Sequence, residues 1–256
     1  MIVGDFQIKI KNILKPIYRE FDQLVYLFLI KIFPSQIKDF KQVPIIINNR
    51  NRLTHLIHLI EWLERYGYNN LYIIDNDSAY PPLLDFYSKT KHTVFKLTKN
   101  MGYCALWETN IFKIFKKDFY VYTDPDILPI NECPGDFMNY FFRMMQKYKY
   151  LKKIGFSLYL DDIPDHYRKK AEVIEWEKQY YTNKIADNLF QAPIDTTFAL
   201  YRPWAKGNAT KFMLTFRVGY PYHIRHMPWY ENSDDLSDEE QYYISNSQTS
   251  TFWTNR

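Results

Sequence analysis

Asp124 and Asp126 stand one residue apart at the end of the run Phe119 to Tyr122, which is apolar, aromatic and β-branched. Such a run reads as a buried strand, and Pro125 and Pro129 forbid it to continue. An Asp-x-Asp at a strand's carboxyl end can hold a hard divalent cation, which can in turn hold a diphosphate. Ligands of open α/β sheets bind just outside that end of the strands. The competing reading of the pair is a turn-capping aspartate beside proline.

Three upstream segments end in the same manner. Val43 to Ile47 runs into Asn48-Asn49-Arg50-Asn51-Arg52, Leu71 to Ile74 into Asp75-Asn76-Asp77-Ser78, and Thr93 to Leu97 into Lys99-Asn100-Met101-Gly102. Asp75 can accept hydrogen bonds from a base or ribose. Arg52 can neutralise phosphate, or sit in the exposed first turn of a helix. Asn100 and Gly102 suit a turn that lets backbone approach a ligand closely.

Helical patterns separate these strands. Leu53, Leu56, Ile57, Ile60 and Leu63 recur at i, i+3, i+4 and i+7, and Gly67 stops them. Pro81 opens a second helix, and a third is expected over roughly Tyr103 to Phe115. Four strands alternating with three helices predict an α/β fold with parallel pairing and right-handed crossovers. Farther on, Ile154 to Leu160 reads as a strand ending in Asp161-Asp162, and His166 to about Asn183 as a charged helix. Thr197 to Tyr201 is a strand preceded by Asp195, and Phe212 to Val218 another, followed by a loop bearing His223, Arg225 and His226.

The chain has 256 residues, 46% hydrophobic and 24% charged, enough for a sizeable core and too apolar for disorder. Residues 231–256 carry six acids and one base, so residues 1–230 hold a net +9 against the overall +4. A basic body suits phosphate-bearing substrates or anionic surfaces. No nucleic-acid motif with a Lys/Arg-rich stripe accompanies it, so no nucleic-acid partner is expected. Cys104 and Cys133 have no metal spacing and need no disulfide, which fits a cytoplasmic protein. No cleavable signal pattern is visible. The longest apolar run, Leu24 to Phe33, is broken by Lys31 and too short to span a bilayer. Tyr18, Phe21, Leu24, Val25 and Phe28 give residues 1–42 an amphipathic helical pattern that Pro34 ends. That preface can pack on the sheet, meet a partner, or rest peripherally on the inner face of a membrane.

Taken together, these segments resemble the nucleotide-sugar-dependent glycosyltransferases of the GT-A fold, particularly the inverting family-two type. Asn51-Arg52-Leu53 resembles that family's Tyr-Asn-Arg start, and Ile73 to Ser78 its Val-Asp-Asn-Gly-Ser segment. Asn100-x-Gly102 is similar to its Asn-x-Gly turn, and Thr123-Asp124-Pro125-Asp126 to its Asp-x-Asp. The likeness covers about residues 43–130. The usual Glu-Asp base motif and Gln/Arg-x-x-Arg-Trp box are missing. In their place stand Pro193-Ile194-Asp195-Thr196-Thr197-Phe198-Ala199 and Arg225-His226-Met227-Pro228-Trp229-Tyr230.

The resemblance implies a single Rossmann-like domain with a mostly parallel central sheet flanked by helices, plus a small acceptor-side C-terminal part. Residues 1–42 are then a helical preface, 43–130 the nucleotide-sugar half, 131–230 the acceptor and catalytic half, and 231–256 an acidic tail. It implies transfer from a nucleoside-diphosphate sugar, a UDP-sugar being the first choice, to a glycan or lipid-linked glycan. Mn²⁺ or Mg²⁺ would be bound by Asp126, by Asp124 directly or through water, and by a late histidine. His226 is the candidate and His223 its competitor; Arg225 can instead pair with the diphosphate. Asn51, Arg52, Asp75, Asn76, Asn100, Gly102 and Asp124 would contact the donor. Asp195 would be the base, with Asp161 and Asp162 as alternatives and a strand cap as its plain reading. Trp107, Trp204 and Trp229 can stack on sugars or fill the core. A nucleotidyltransferase is the second enzyme reading, disfavoured because Asn48 to Arg52 contains no glycine. A basic binding module is the third.

Overall fold

The computed structural model describes residues 24–195, 197–207, 214–232 and 234–247. Tyr18, Phe21, Thr196, Phe212 and residues 248–256, all named above, lie outside them. In chain order the elements are α1 (residues 24–32), β1 (Ile45–Asn49), α2 (Thr54–Arg65), β2 (Leu71–Asp75), α3 (Pro81–Lys89), β3 (Thr93–Lys96), α4 (Ala105–Glu108), α5 (Phe112–Phe115) and β4 (Tyr120–Thr123). There follow β5 (Ile127–Pro129), α6 (Phe137–Lys147), β6 (Lys153–Leu158), α7 (Lys170–Lys178), β7 (Lys184–Ala186), β8 (Leu189–Gln191), β9 (Ala199–Tyr201), β10 (Thr215–His226) and α8 (Asp238–Ser245).

One sheet runs through the molecule in the order β3-β2-β1-β4-β9-β6-β10-β8-β7, with β5 paired to β10. The pairings of β1, β2, β3 and β4 are parallel, as is that of β6 with β10. The strands β5, β8 and β9 run against them. The architecture is therefore α/β with a mixed, mostly parallel central sheet flanked by helices. Side chains alternate between two apolar layers, as strand geometry requires. Ile45, Ile47 and Val121 face one cluster with α2 and α6, while Ile46, Tyr120 and Tyr122 face the other with α4 and α5. Gly155 lets β9 lie close to β6, because a Cβ there would stand 2.3 Å from the Phe198 carbonyl oxygen.

Four expectations change. The helix over 103–115 is broken into a 3-10 turn (Gly102–Cys104), α4 and α5. At the break, the Thr109 hydroxyl binds the Leu106 carbonyl and accepts from the Ile111 amide, local bonds that compete with helix. The loop expected to bear His223, Arg225 and His226 is strand: β10 passes a register shift between Val218 and His223, and its last three residues pair with β5. The acidic tail is in part an ordered helix, α8, whose Glu239 and Glu240 are buried. In α1, the expected packing stripe Leu24, Val25 and Phe28 is exposed, and Tyr26 is buried instead. Among the described residues no helix is long and apolar enough to cross a membrane.

Candidate functional site

Three loops at the carboxyl ends of β1, β2 and β3 are laced together by asparagines. The Asn51 Oδ1 accepts from the amides of Ala79 and Tyr80 at 2.7 and 3.1 Å, holding Asn51 in the left-handed region at φ 53°. Asn76 donates to the Gly102 carbonyl (2.9 Å) and accepts from the Met101 amide (2.7 Å). Asn48 also donates to Gly102 O, and the Asn100 Oδ1 accepts from the Gly102 amide. Gly102 has φ 65°, and a Cβ there would meet nothing within 4 Å. The glycine serves the turn, and the space above it is open. Asp75 is buried and accepts from the Ser78 amide at 3.0 Å; burial raises its pKa against that bond. The side chains of Asn51 and Asn76 are thus braces between loops, and both amide atoms of Asn76 are already engaged.

Beside these loops, the turn after β4 presents Asp124 and Asp126. The pairing of β5 with β10 brings His226 opposite Ile127, so its Nε2 lies 3.9 Å from Asp126 Oδ2. The Met227 amide also donates to the Asp126 carbonyl at 2.8 Å. Burial by itself would raise the Asp126 pKa, but His226, Arg52 and His55 outweigh it and hold the carboxyl below its usual range. Burial lowers the His226 pKa against the pull of Asp126. The His226 Nδ1 is buried with no hydrogen-bond partner among the described residues. His223, the competing histidine, points elsewhere, against Tyr159 and Tyr181, and burial brings it down to about 4.

Arg52 is neither exposed nor in a first turn, because α2 starts at Thr54. It is buried, bound to Glu240 through both terminal nitrogens (2.6 and 3.3 Å), and its Nε lies 3.5 Å from Asp126. The Tyr243 ring lies 3.9 Å from its guanidinium carbon. Its charge is therefore already met by protein carboxylates. Glu239 accepts from the Leu53 and Thr54 amides and the Thr54 hydroxyl, capping α2 from α8.

Asp195 sits on the run 192–195, which side chains of β6 and β10 fasten from beneath. Thr215 donates to Ala192 O (2.6 Å), Arg217 to Pro193 O (2.7 Å), and Lys153 to Ile194 O (2.6 Å) and Asp195 O (3.2 Å). Lys153 is wholly buried, and desolvation lowers it to about 7 in spite of the Asp195 charge. Arg217 is held by buried Glu177 at 2.6 Å. The Asp195 side chain is exposed, and its charge is also felt, weakly, at His226. Asp162 is occupied by Arg225 through two nitrogens and by the Tyr230 hydroxyl, which accounts for both residues. Lys153, Arg217 and Glu177 were not candidates from sequence. The one available signal was a lysine opening an otherwise apolar strand.

Trp107 and Trp229 are buried: Trp107 donates to the Tyr120 hydroxyl, and Trp229 packs edge-on to His226. Trp204 packs against Phe33. A surface hollow of about 400 Å³ is lined by Leu71, Tyr72 and Thr93 at the amino ends of β2 and β3, away from Asp126. A smaller one of about 240 Å³ lies between α2 and α8, beside His55 and Glu231.

A divalent cation can be tested against this donor set. A carboxylate oxygen and an imidazole nitrogen face one another at 3.9 Å, and together they offer such an ion two donors. Among the described residues no three His, Cys, Asp or Glu side chains converge on one point. Most of the coordination would fall to phosphate oxygens and water, the usual manner for nucleotide-bound Mg²⁺.

No family model matches the sequence, and no curated protein matches it either. Among solved structures, a mycobacterial protein is 11% identical with a TM-score of 0.42, the alignment spanning 70% of this chain and 65% of that one. This chain thus spans less than two thirds of that neighbour. A cytidylyltransferase from Leptospira borgpetersenii is 11% identical with a TM-score of 0.39, over 80% and 94% of the two chains. Similarity this distant carries no functional argument.

Proposed function

We propose that this chain is a metal-dependent glycosyltransferase that moves a sugar from a nucleoside diphosphate to a hydroxyl acceptor with inversion. The observation that carries the reading is the meeting of Asp126 and His226, a hundred residues apart in sequence, at 3.9 Å. They meet at the sheet edge where the β1, β2 and β3 loops also end. Asp126 and His226 would hold the cation, which Asp124 would reach only through water; imidazole favours Mn²⁺ over Mg²⁺. When bound, that ion supplies Lewis-acid stabilisation of charge on the departing diphosphate. Asp75 and the open space above Gly102 would receive the nucleoside. Arg52 would tune the charge on Asp126, its guanidinium being shared with Glu240.

Asp195 would take the proton of the acceptor hydroxyl as its oxygen bonds to the anomeric carbon and the bond to diphosphate breaks. Its carboxylate has no hydrogen-bond partner among the described residues, whereas Asp162 is bound on both oxygens. A glycan or lipid-linked glycan is the proposed acceptor. Screening nucleotide sugars for Mn²⁺-dependent hydrolysis tests the reading. The expected result is turnover of at least one donor, abolished in Asp126→Ala. In Asp195→Asn, nucleotide binding should persist while transfer falls on the order of a hundredfold or more. Near wild-type transfer by that variant would remove Asp195 from the role.

A further inference from the structure

Helix α1 carries two apolar faces, and only one of them is packed. Tyr26 is buried and Ile30 packs beside it against Phe112, Phe115 and Tyr120. On the other side Leu24 (64% exposed), Phe28 (60%) and Ile32 (51%) follow one another at i, i+4 and i+8, a single outward stripe. The adjoining α5 also leaves Ile114 61% exposed. Large apolar side chains left in line on a surface mark a site of interaction.

The surroundings of this stripe say what it meets. Around α1 pack the segments 112–118, 147–152 and 202–206, linked to it through Tyr26, Ile30 and Phe33. Residues 24–38 and those three segments carry two, three, three and one lysines, and only one carboxylate, Asp118. That carboxylate is itself engaged by the Ser35 hydroxyl and the Gln36 amide. Three of the lysines hold their ammonium groups over rings of this region: Lys152 over Tyr26 (4.6 Å), Lys116 over Trp204 (4.9 Å) and Lys206 over Phe112 (5.4 Å). Lysines gathered around an exposed stripe of Leu, Phe and Ile match helices that lie in a bilayer interface. A second copy of the chain would bring the same positive charge against this one. Nucleic acid would leave the apolar stripe in water.

We propose that α1 lies in the surface of an anionic lipid bilayer, with Leu24, Phe28 and Ile32 among the acyl chains and the surrounding lysines on the headgroups. Flotation of the full chain tests this, using vesicles of phosphatidylcholine alone or with about 30% phosphatidylglycerol. The protein should float with the anionic vesicles only and be released in about 0.5 M salt. The double variant Phe28→Glu/Ile32→Glu should lose roughly tenfold or more of the bound fraction with an unchanged melting curve, since both side chains are exposed. Lys113→Glu/Lys117→Glu should weaken binding several-fold. Three results would overturn the proposal: wild type sinking with both vesicle types, the Phe28→Glu/Ile32→Glu protein floating as wild type does, or the Lys113→Glu/Lys117→Glu protein binding undiminished. A wild-type dimer by light scattering that the Phe28→Glu/Ile32→Glu protein lacks would assign the face to a second copy instead.

Discussion

The loops after β1, β2 and β3 are tied by neutral amides, whereas the segments around β6, β9 and β10 are tied by buried charges. On the first side Asn48, Asn51 and Asn76 make hydrogen bonds between neighbouring loops, and Asn100 makes one within its own. On the second, Lys153 and the Arg217–Glu177 pair reach across the chain; Arg52, in the β1 loop, is a buried charge on the first side, bound to Glu240 of α8. Amides cost little to bury once satisfied and do not titrate. Buried charges fix geometry at a desolvation cost and answer to pH. The asparagine bonds between these loops should therefore hold across pH, and the ties made by Lys153 should not.

The largest effect should come from separating a buried pair. Arg52→Met deprives the buried Glu240 carboxylate of its guanidinium and removes the cationic neighbour of Asp126. A loss of about 3–5 kcal/mol is expected in urea unfolding. A loss under about 1 kcal/mol would mean that Arg52 and Glu240 are not paired in solution.

Lys153 sharpens the contrast through pH. Its pKa is about 7 when folded and near 10.5 when unfolded, so between those values the unfolded chain binds the extra proton. Stability from this group therefore rises with pH across that window and is lowest below pH 7. From pH 7 to 9 the wild type should gain about 2 kcal/mol relative to Lys153→Met. Parallel curves for the two proteins would show that the lysine keeps its ordinary pKa.

Asn76→Ala is the matching test on the amide side. It strips partners from Met101 and Gly102 and should cost about 1–2 kcal/mol, equally at pH 6 and pH 9. A pH-dependent cost would break the comparison. The smallest effect belongs to Glu239→Ala, which uncaps α2 and should lower stability by about 1 kcal/mol.

The same contrast explains what was legible in the sequence. Asn51, Asn76, Asn100 and Gly102 act within a few residues of strand ends, so strand pattern and turn chemistry together pick them out. The first four strands are legible for the same reason, since each is apolar and stops at polar residues. Lys153 and Arg217 act on backbone carbonyls of residues 192–195, tens of residues away, and single lysines or arginines carry no mark of their partner. Arg52 looked like a helix-start residue because its partners arrive 188 residues later, on α8. Likewise α1 was identified as an amphipathic helix, but its spacing could not say which of its two apolar faces is packed. His226 was found as a residue type late in the chain; its place opposite Asp126 depends on β10 continuing past Pro221 to pair with β5.

The account turns on whether Asp126 and His226 hold a cation that carries a nucleoside diphosphate. Calorimetric titration with UDP, then with GDP, in Mn²⁺ and in EDTA tests this directly on wild type and Asp126→Ala. The account predicts binding of one of them by the wild type in Mn²⁺ only, weakened at least about a hundredfold in the variant. Equal affinity in EDTA, or undiminished Mn²⁺-dependent binding by Asp126→Ala, would contradict it.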